Sequence, residues 1–379
     1  MSKIIINKAL LPAGFSDKLY PKSQKQFVIV EKILEFFSNY SYLRVSPPLV
    51  EFEETLLSEG PGSVLKENTF RIMDPVTQKM MALRSDMTTQ IARISSTRML
   101  HYPRPLRLSY SGDVLRVKSN TLNMNRQITQ VGAEIIGKIS DELEAEIILI
   151  GLKTLNSLKI KNLSIDLNFP KLRNKLLNKC PKYLLPKVTQ AIERKDLIFL
   201  KKNNFPNKID ILNLMESFGY FDSRSSYLKK LTKTNQNNKS IIHLIKIAEK
   251  IKKNFVDINI IIDPLESNPF NYHDGMTFTV FSKAIRGGIA KGGTYKTIAG
   301  EKATGVSIYT ELIKNTPELL LKKNHLVINS IDFNDAEKYI SKGFQIVFSE
   351  ELNENNYNKI AKKMNCNYVL INKNLIKIE

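Results

Sequence analysis

Tryptophan does not occur in this 379-residue sequence, cysteine occurs twice, and 37 acidic residues face 57 lysines and arginines. Each shortage excludes something. Cys180 and Cys366 stand far apart with no motif spacing, so neither a metal site nor a disulfide framework is expected. No run approaches the roughly 18–20 apolar residues that a bilayer-crossing helix requires. The opening Met1-Ser2-Lys3-Ile4-Ile5-Ile6-Asn7-Lys8 is too short and too interrupted for a secretory signal, and a soluble cytoplasmic chain is expected. The shortage of acid leaves a formal net charge of +20. That invites a nucleic-acid partner, because a basic surface is the footprint of phosphate binding. Yet the lysines are scattered, not gathered with aromatics into a stacking platform. Heavy use of Lys, Asn and Ile without Trp is also what an AT-rich coding sequence produces unaided. The charge is read as composition, and no nucleic-acid partner or membrane is expected.

What is present suffices for one large domain with a full core and one or two appended units. Pro21 sits where a helix can begin. From there Phe27, Val30, Leu34 and Phe37, widened by Ile33, Phe36 and Tyr40, form an amphipathic stripe of about five turns. The following Tyr42–Val50 segment holds Pro47 and Pro48, which exclude a sheet interior and favour an edge or interface. A second helix is expected from Asp86 through Leu100, with Met87, Ile91, Ile94 and Met99 inward. A third is expected over Asp141–Asn156, with Ala145, Ile148, Leu149 and Leu152 facing the core.

Residues 105–111 and 113–117 alternate as extended chain, 118–126 read as a loop, and 127–137 return as a strand. By the period of two, Ile128, Gln130, Gly132 and Glu134 share one face of that strand. Gln130 and Glu134 with a small residue between them make either a floor for a polar ligand or a solvent-facing side. Strands are also expected at 163–167, 256–263 and 276–281. Residues from about 170 to 254 read as a helical insertion, with Leu228, Leu231, Ile241, Leu244, Ile245 and Ala248 at helical spacing. Arg286-Gly287-Gly288 and Gly292-Gly293 are expected to be turns, without nucleotide-loop spacing. A linker at 322–324 then leads to a β-α-β-α-β-β tail over 325–379, about 55 residues, near the lower limit of independent stability.

Several blocks together carry a resemblance. Leu11-Pro12-Ala13-Gly14-Phe15-Ser16-Asp17 and the Tyr42–Glu51 segment resemble the opening of class II histidyl-tRNA synthetases, with Pro48 on the proline of the motif 1 dimer interface. Leu83-Arg84-Ser85-Asp86-Met87-Thr88 resembles the family's Arg-Pro-Glu-x-Thr block, whose acid and threonine hold the histidine amino group. Leu115-Arg116-Val117-Lys118 and Gln127–Glu134 resemble motif 2, whose arginine, glutamine and glutamate contact histidine and ATP. The match covers about the first 150 residues and, more loosely, 258–313. It implies an α+β fold: a class II synthetase-like antiparallel sheet flanked by helices over 1–322, with the insertion at about 170–254 and a small C-terminal α/β unit over 325–379.

The departures bear on function. The family's histidine-loop arginine falls on Asn271, its motif 2 Phe-Arg-x-Glu acid on Lys118, and its motif 3 arginine at about Leu312. One lost electrostatic contact of this type costs about 3–4 kcal/mol of transition-state stabilisation, so adenylation is not expected. The amino-acid half persists: Asp86, Thr88, Gln130 and Glu134 for an ammonium or imidazole, and Arg116 for a carboxylate. Tyr272 and His273 are candidates to replace the family's tandem ring-lining tyrosines.

A kept histidine pocket with a dismantled ATP site resembles the regulatory subunits of ATP phosphoribosyltransferase, as do the segments at 10–14, 70–76 and 104–110. That resemblance implies no catalytic residues, no metal and no cofactor. It implies L-histidine as ligand, a short catalytic subunit as partner, and self-association through the Pro48 region. Simpler roles stand beside these. Asp86 also suits a helix N-cap, Arg116 an ion pair, Gln130 and Glu134 relics of an ancestral site, and His273 ordinary loop chemistry. The alternative function is a divergent, active histidyl-tRNA synthetase.

Overall fold

The computed structural model describes residues 10–57, 60–118, 124–234, 238–266, 272–313, 324–329 and 333–378. Two compact units emerge, 1–318 and 319–379.

The first helix runs Lys22–Ser38 and buries Ile29, Ile33, Leu34 and Phe37, each worth about 1.5–3 kcal/mol when removed from water. Its inward stripe is rotated from the expected one. Phe27 is 61% exposed, and Ile29 takes its place. Apolar residues lie on both flanks of this helix, so periodicity alone does not fix which arc turns inward. Strand β1 (Leu43–Arg44) follows, then β2 (Val50–Phe52), β3 (Arg71–Met73) and β4 (Met80–Leu83). Antiparallel pairing orders the last three as β2-β4-β3. Pro47 and Pro48 lie between β1 and β2, each the edge strand of a sheet, as the missing N–H groups require.

The next helix is Thr88–Ser96, shorter than the expected Asp86–Leu100. Ile94 and Met99 are only partly buried, whereas Met87 and Ile91 are fully buried. Strand β5 (Leu106–Leu115) passes unbroken through Gly112, and β6 (Gln127–Ile136) returns beside it. The helix Asp141–Ser157 is buried over a wider arc than expected. Ile147, Ile150 and Leu155 join Ala145, Ile148 and Leu152, while Leu149 stays half-exposed.

Strand β7 (Leu163–Asn168) is followed by helices Pro170–Leu177, Leu185–Glu193, Leu197–Lys202, Lys208–Glu216, Phe221–Thr234 and Asn238–Asn254, with the short β8 (Gly219–Tyr220) among them. The six apolar positions singled out in this stretch are all buried. Strands β9 (Asn259–Asp263), β10 (His273–Ser282), β11 (Ile285–Lys296) and β12 (Lys302–Tyr309), then a short helix Thr310–Ile313, complete the unit. The nine-stranded order is β1-β5-β6-β12-β11-β10-β7-β9-β8. From β5 to β7 every pair is antiparallel. Gly292 and Gly293 lie inside β11, not in a turn. A Cβ on Gly292 would come within 2.1 Å of the Gly305 carbonyl oxygen, so close packing demands glycine there.

The sheet has two distinct faces. Val306 of β12 meets Gly151 of the Asp141–Ser157 helix, where an added Cβ would lie 3.0 Å from a Val306 methyl. The opposite face carries the polar residues of β6 and β12.

The second unit has β13 (Asn324–Ile328), helix Phe333–Ile340, β14 (Phe344–Phe348), helix Tyr357–Lys363, β15 (Tyr368–Ile371) and β16 (Asn374–Lys377). Its sheet order is β14-β13-β15-β16, parallel except for the final hairpin. Apolar clusters around Val327 and around Leu326 form its core. The linker residues Lys322 and Lys323 lie outside the described residues.

Candidate functional site

Strand pleating assembles the site. Along β6, Gln130, Gly132 and Glu134 point to one face, and the antiparallel register sets Tyr309, Ser307 and Gly305 of β12 directly opposite them. On the other side of β6, Gly112 and Tyr110 of β5 face Gln130 and Gly132. Large and small residues therefore alternate across the sheet. The Tyr110 ring occupies space above Gly132, where an added Cβ would lie 2.4 Å from its hydroxyl. Glu134 occupies the space above Gly305, where a Cβ would fall 1.8 Å from Oε2.

Glu134 is 1% exposed, and three hydroxyls converge on it. Thr88 and Tyr110 each donate to Oε1 at 3.2 Å, and Tyr295 donates to Oε2 at 3.2 Å. Burial, with the nearby Asp86 carboxylate adding to it, still pushes its pKa up to about 8, outweighing those three donors. Two carboxyls thus line one cavity, and a cation placed beside them would favour the charged form of Glu134.

Asp86 is held just before the Thr88–Ser96 helix, whose N-cap is Met87. Its Oδ1 accepts the Thr88 backbone N–H at 2.8 Å. It therefore satisfies the first turn, and its other oxygen meets Gln130 Nε2 at 3.5 Å. Gln130 is fully buried and acts as a brace: Nε2 donates to Ser307 Oγ at 2.8 Å and Oε1 accepts the Met87 N–H at 3.1 Å.

Beside these groups lies a small, partly open cavity, lined in part by Asp86, Thr88, Glu134, Tyr272 and His273. Gln130 and Arg116, the other two residues singled out from sequence, do not line it. Arg116 lies beside it: Nε donates to the Ser85 carbonyl at 3.3 Å and the guanidinium sits 5.5 Å from the centre of the Tyr309 ring, which is part of the lining. Tyr272 stacks on His273 with ring centroids 4.4 Å apart and meets Tyr295 edge-on at 6.0 Å. The aromatic wall is therefore built from Tyr272, Tyr295 and Tyr309.

Sequence reading missed Tyr110, Lys291, Tyr295, Ser307 and Tyr309. The signal available was period-two alternation on the glycine-rich strands, since Lys291, Gly293 and Tyr295 share one face, as do Gly305, Ser307 and Tyr309. Taking Gly292-Gly293 for a turn hid it.

Two of the three positions where the resemblance places the family's ATP-binding residues are described. Lys118 is exposed, and its backbone N–H donates to Asn68 Oδ1 at 2.8 Å. Beside Leu312, Glu311 accepts the Thr129 N–H at 2.9 and 3.0 Å and pairs with Lys18 at 2.8 Å. Leu312 itself packs on the core beneath the site. Asn271 lies outside the described residues.

Comparisons with known proteins agree on the lineage. The histidyl-tRNA synthetase family profile matches residues 14–313. An ATP phosphoribosyltransferase regulatory subunit of Rhodospirillum centenum is 37% identical over 311 residues, 80% of each chain. One from Paramagnetospirillum magneticum is 34% identical, covering 81% of each. Among solved structures, an ATP phosphoribosyltransferase regulatory subunit/histidyl-tRNA synthetase from Bacillus halodurans C superposes with a TM-score of 0.78 at 18% identity, covering 94% of this chain and 96% of that one. The histidyl-tRNA synthetase of Nostoc sp. PCC 7120 gives 0.75 at 18% identity, covering 96% and 91%. The two structures speak for the class II synthetase fold; the two sequences speak for the branch. On these matches the chain belongs to the ATP phosphoribosyltransferase regulatory subunit family, built on the histidyl-tRNA synthetase fold.

Proposed function

We propose that this chain is a non-catalytic regulatory subunit of ATP phosphoribosyltransferase, acting at the first step of L-histidine biosynthesis in the cytoplasm. It assembles with a short catalytic subunit, raises its activity, and binds L-histidine as the feedback signal. Self-association runs through the Pro48 region, and no cofactor takes part. The observation that carries the reading is the charge layout of the cavity. Asp86 and the buried Glu134 stand among hydroxyls and tyrosine rings, and Arg116 lies beside the Tyr309 wall. A free amino acid carries both charges and needs both kinds of partner. Asp86 and Glu134 receive the ammonium or imidazole, the tyrosines enclose the ring, and Arg116 faces the carboxylate.

Feedback follows if L-histidine favours one of two states of the complex, in which case the coupling is reciprocal with the catalytic subunit's substrates. Adenylation is not part of this function, because the cations and the acid that would hold the triphosphate are replaced at Asn271, Leu312 and Lys118. Reconstitution tests the reading. Added to a short catalytic subunit, the chain should raise phosphoribosyl transfer, and L-histidine should lower it again. Histidine-dependent ATP–pyrophosphate exchange by the chain alone would instead establish the active synthetase.

A further inference from the structure

Lys291 is the one lysine lining the cavity among the described residues. It sits in the middle of β11, in register with Ser307 on β12 and Thr279 on β10. On its C-terminal side are Gly292 and Gly293, where a Cβ would press on Phe278 and His273. The backbone beside the lysine is therefore closely packed by neighbouring strands, which fixes the place of Lys291 in the sheet. Among the described residues no carboxylate forms an ion pair with its ammonium. Burial, and then the neighbouring Arg116 charge, lower its pKa. A half-buried cation set beside another cation and facing a cavity is a group held ready for an anion.

The geometry points to Lys291 as a second cationic anchor that, with Arg116, holds the α-carboxylate of the bound amino acid. This rests on the L-histidine reading above and adds a specificity to it. The site selects ligands by their negative end as well as by the imidazole ring. Histamine keeps the ring and the ammonium but lacks the carboxylate that the two cations would hold.

Calorimetric titration of the full chain with L-histidine and with histamine tests this. The wild-type chain should bind L-histidine at least about tenfold more tightly than histamine, the low end of what one charge-assisted contact supplies. In Lys291→Gln the L-histidine affinity should fall about tenfold or more, with histamine binding unchanged, and Lys291→Arg should restore L-histidine to within a few-fold. If Lys291→Gln binds L-histidine as the wild type does, or loses both ligands equally, the anchor is wrong while the sensor reading stands. A wild-type chain that binds histamine as tightly as L-histidine overturns it without any variant. A wild-type chain that binds neither removes the sensor reading, and the anchor with it.

Discussion

Gly305 faces Glu134 across the β12–β6 ladder, and the glutamate carboxylate fills the space that a side chain at 305 would occupy. An added Cβ would lie 1.8 Å from Oε2, far inside contact distance. Glu134 cannot retreat cheaply, since Thr88, Tyr110 and Tyr295 hold it. Gly305→Ala should therefore cost about 1–3 kcal/mol, the range for overpacking, and weaken L-histidine binding as well. Urea unfolding and titration check the two effects, and wild-type values for both would show the contact to be slack.

Glu134 also predicts a pH dependence. Its ordinary pKa of 4.5 rises to about 8 in the folded chain, so between those values the folded state holds a proton that the unfolded state releases. Its stabilising contribution is fully present below about 4.5 and is lost as pH climbs to 8. Glu134→Gln cannot ionise and should flatten that slope, by roughly a few kcal/mol across the window. Binding a cationic group would draw the carboxylate into its charged form. L-histidine binding near pH 7 should therefore release protons, seen as a binding heat that varies with buffer ionisation enthalpy, and Glu134→Gln should abolish the variation.

A second titrating contact ties the Asn238–Asn254 helix to the sheet. His243 Nδ1 meets Asp141 at 2.9 Å and its Nε2 pairs with Glu144, which also accepts from Thr294 of β11, between Gly293 and Tyr295. Burial alone would lower the His243 pKa, but Glu144 and then Asp141 raise it. Lys246, one turn along the same helix, pairs with the far oxygen of Asp141. The stabilisation from protonated His243 is present below its ordinary 6.5 and fades as pH rises through the folded value. His243→Gln should cost about 1–3 kcal/mol at pH 6, with the gap to wild type narrowing by pH 9 in parallel thermal melts. A gap that does not change with pH would mean that packing, not charge, holds the helix.

Individual strands and their faces were legible in sequence where a local pattern decides. Val131, Ala133 and Ile135 against Gln130 and Glu134 give the β6 faces directly, and the C-terminal strands show as short apolar runs. Other features were not. The rotation of the first helix, with Ile29 inward and Phe27 outward, depends on which neighbours pack against it. Gly292 and Gly293 have turn-like composition; only the Phe278 ring and the Gly305 carbonyl around Gly292, and His273 and the Met276 carbonyl around Gly293, show why they must be glycine. Asp86, Thr88 and Glu134 were singled out through the resemblance to the family's blocks, and they line one cavity. Tyr110 and Tyr295 donate to the Glu134 carboxylate from other strands, and Ser307 bonds Tyr110 and Gln130; cross-strand register is not written in any one segment.

The most direct test is a calorimetric titration of L-histidine into the purified chain, with no catalytic subunit and no ATP. One-to-one binding, weakened at least about tenfold in Glu134→Ala as expected for losing a charged hydrogen-bond partner, is what the cavity predicts. No heat up to millimolar L-histidine, in a chain that still activates its catalytic partner, would contradict it and leave this fold serving as scaffold alone.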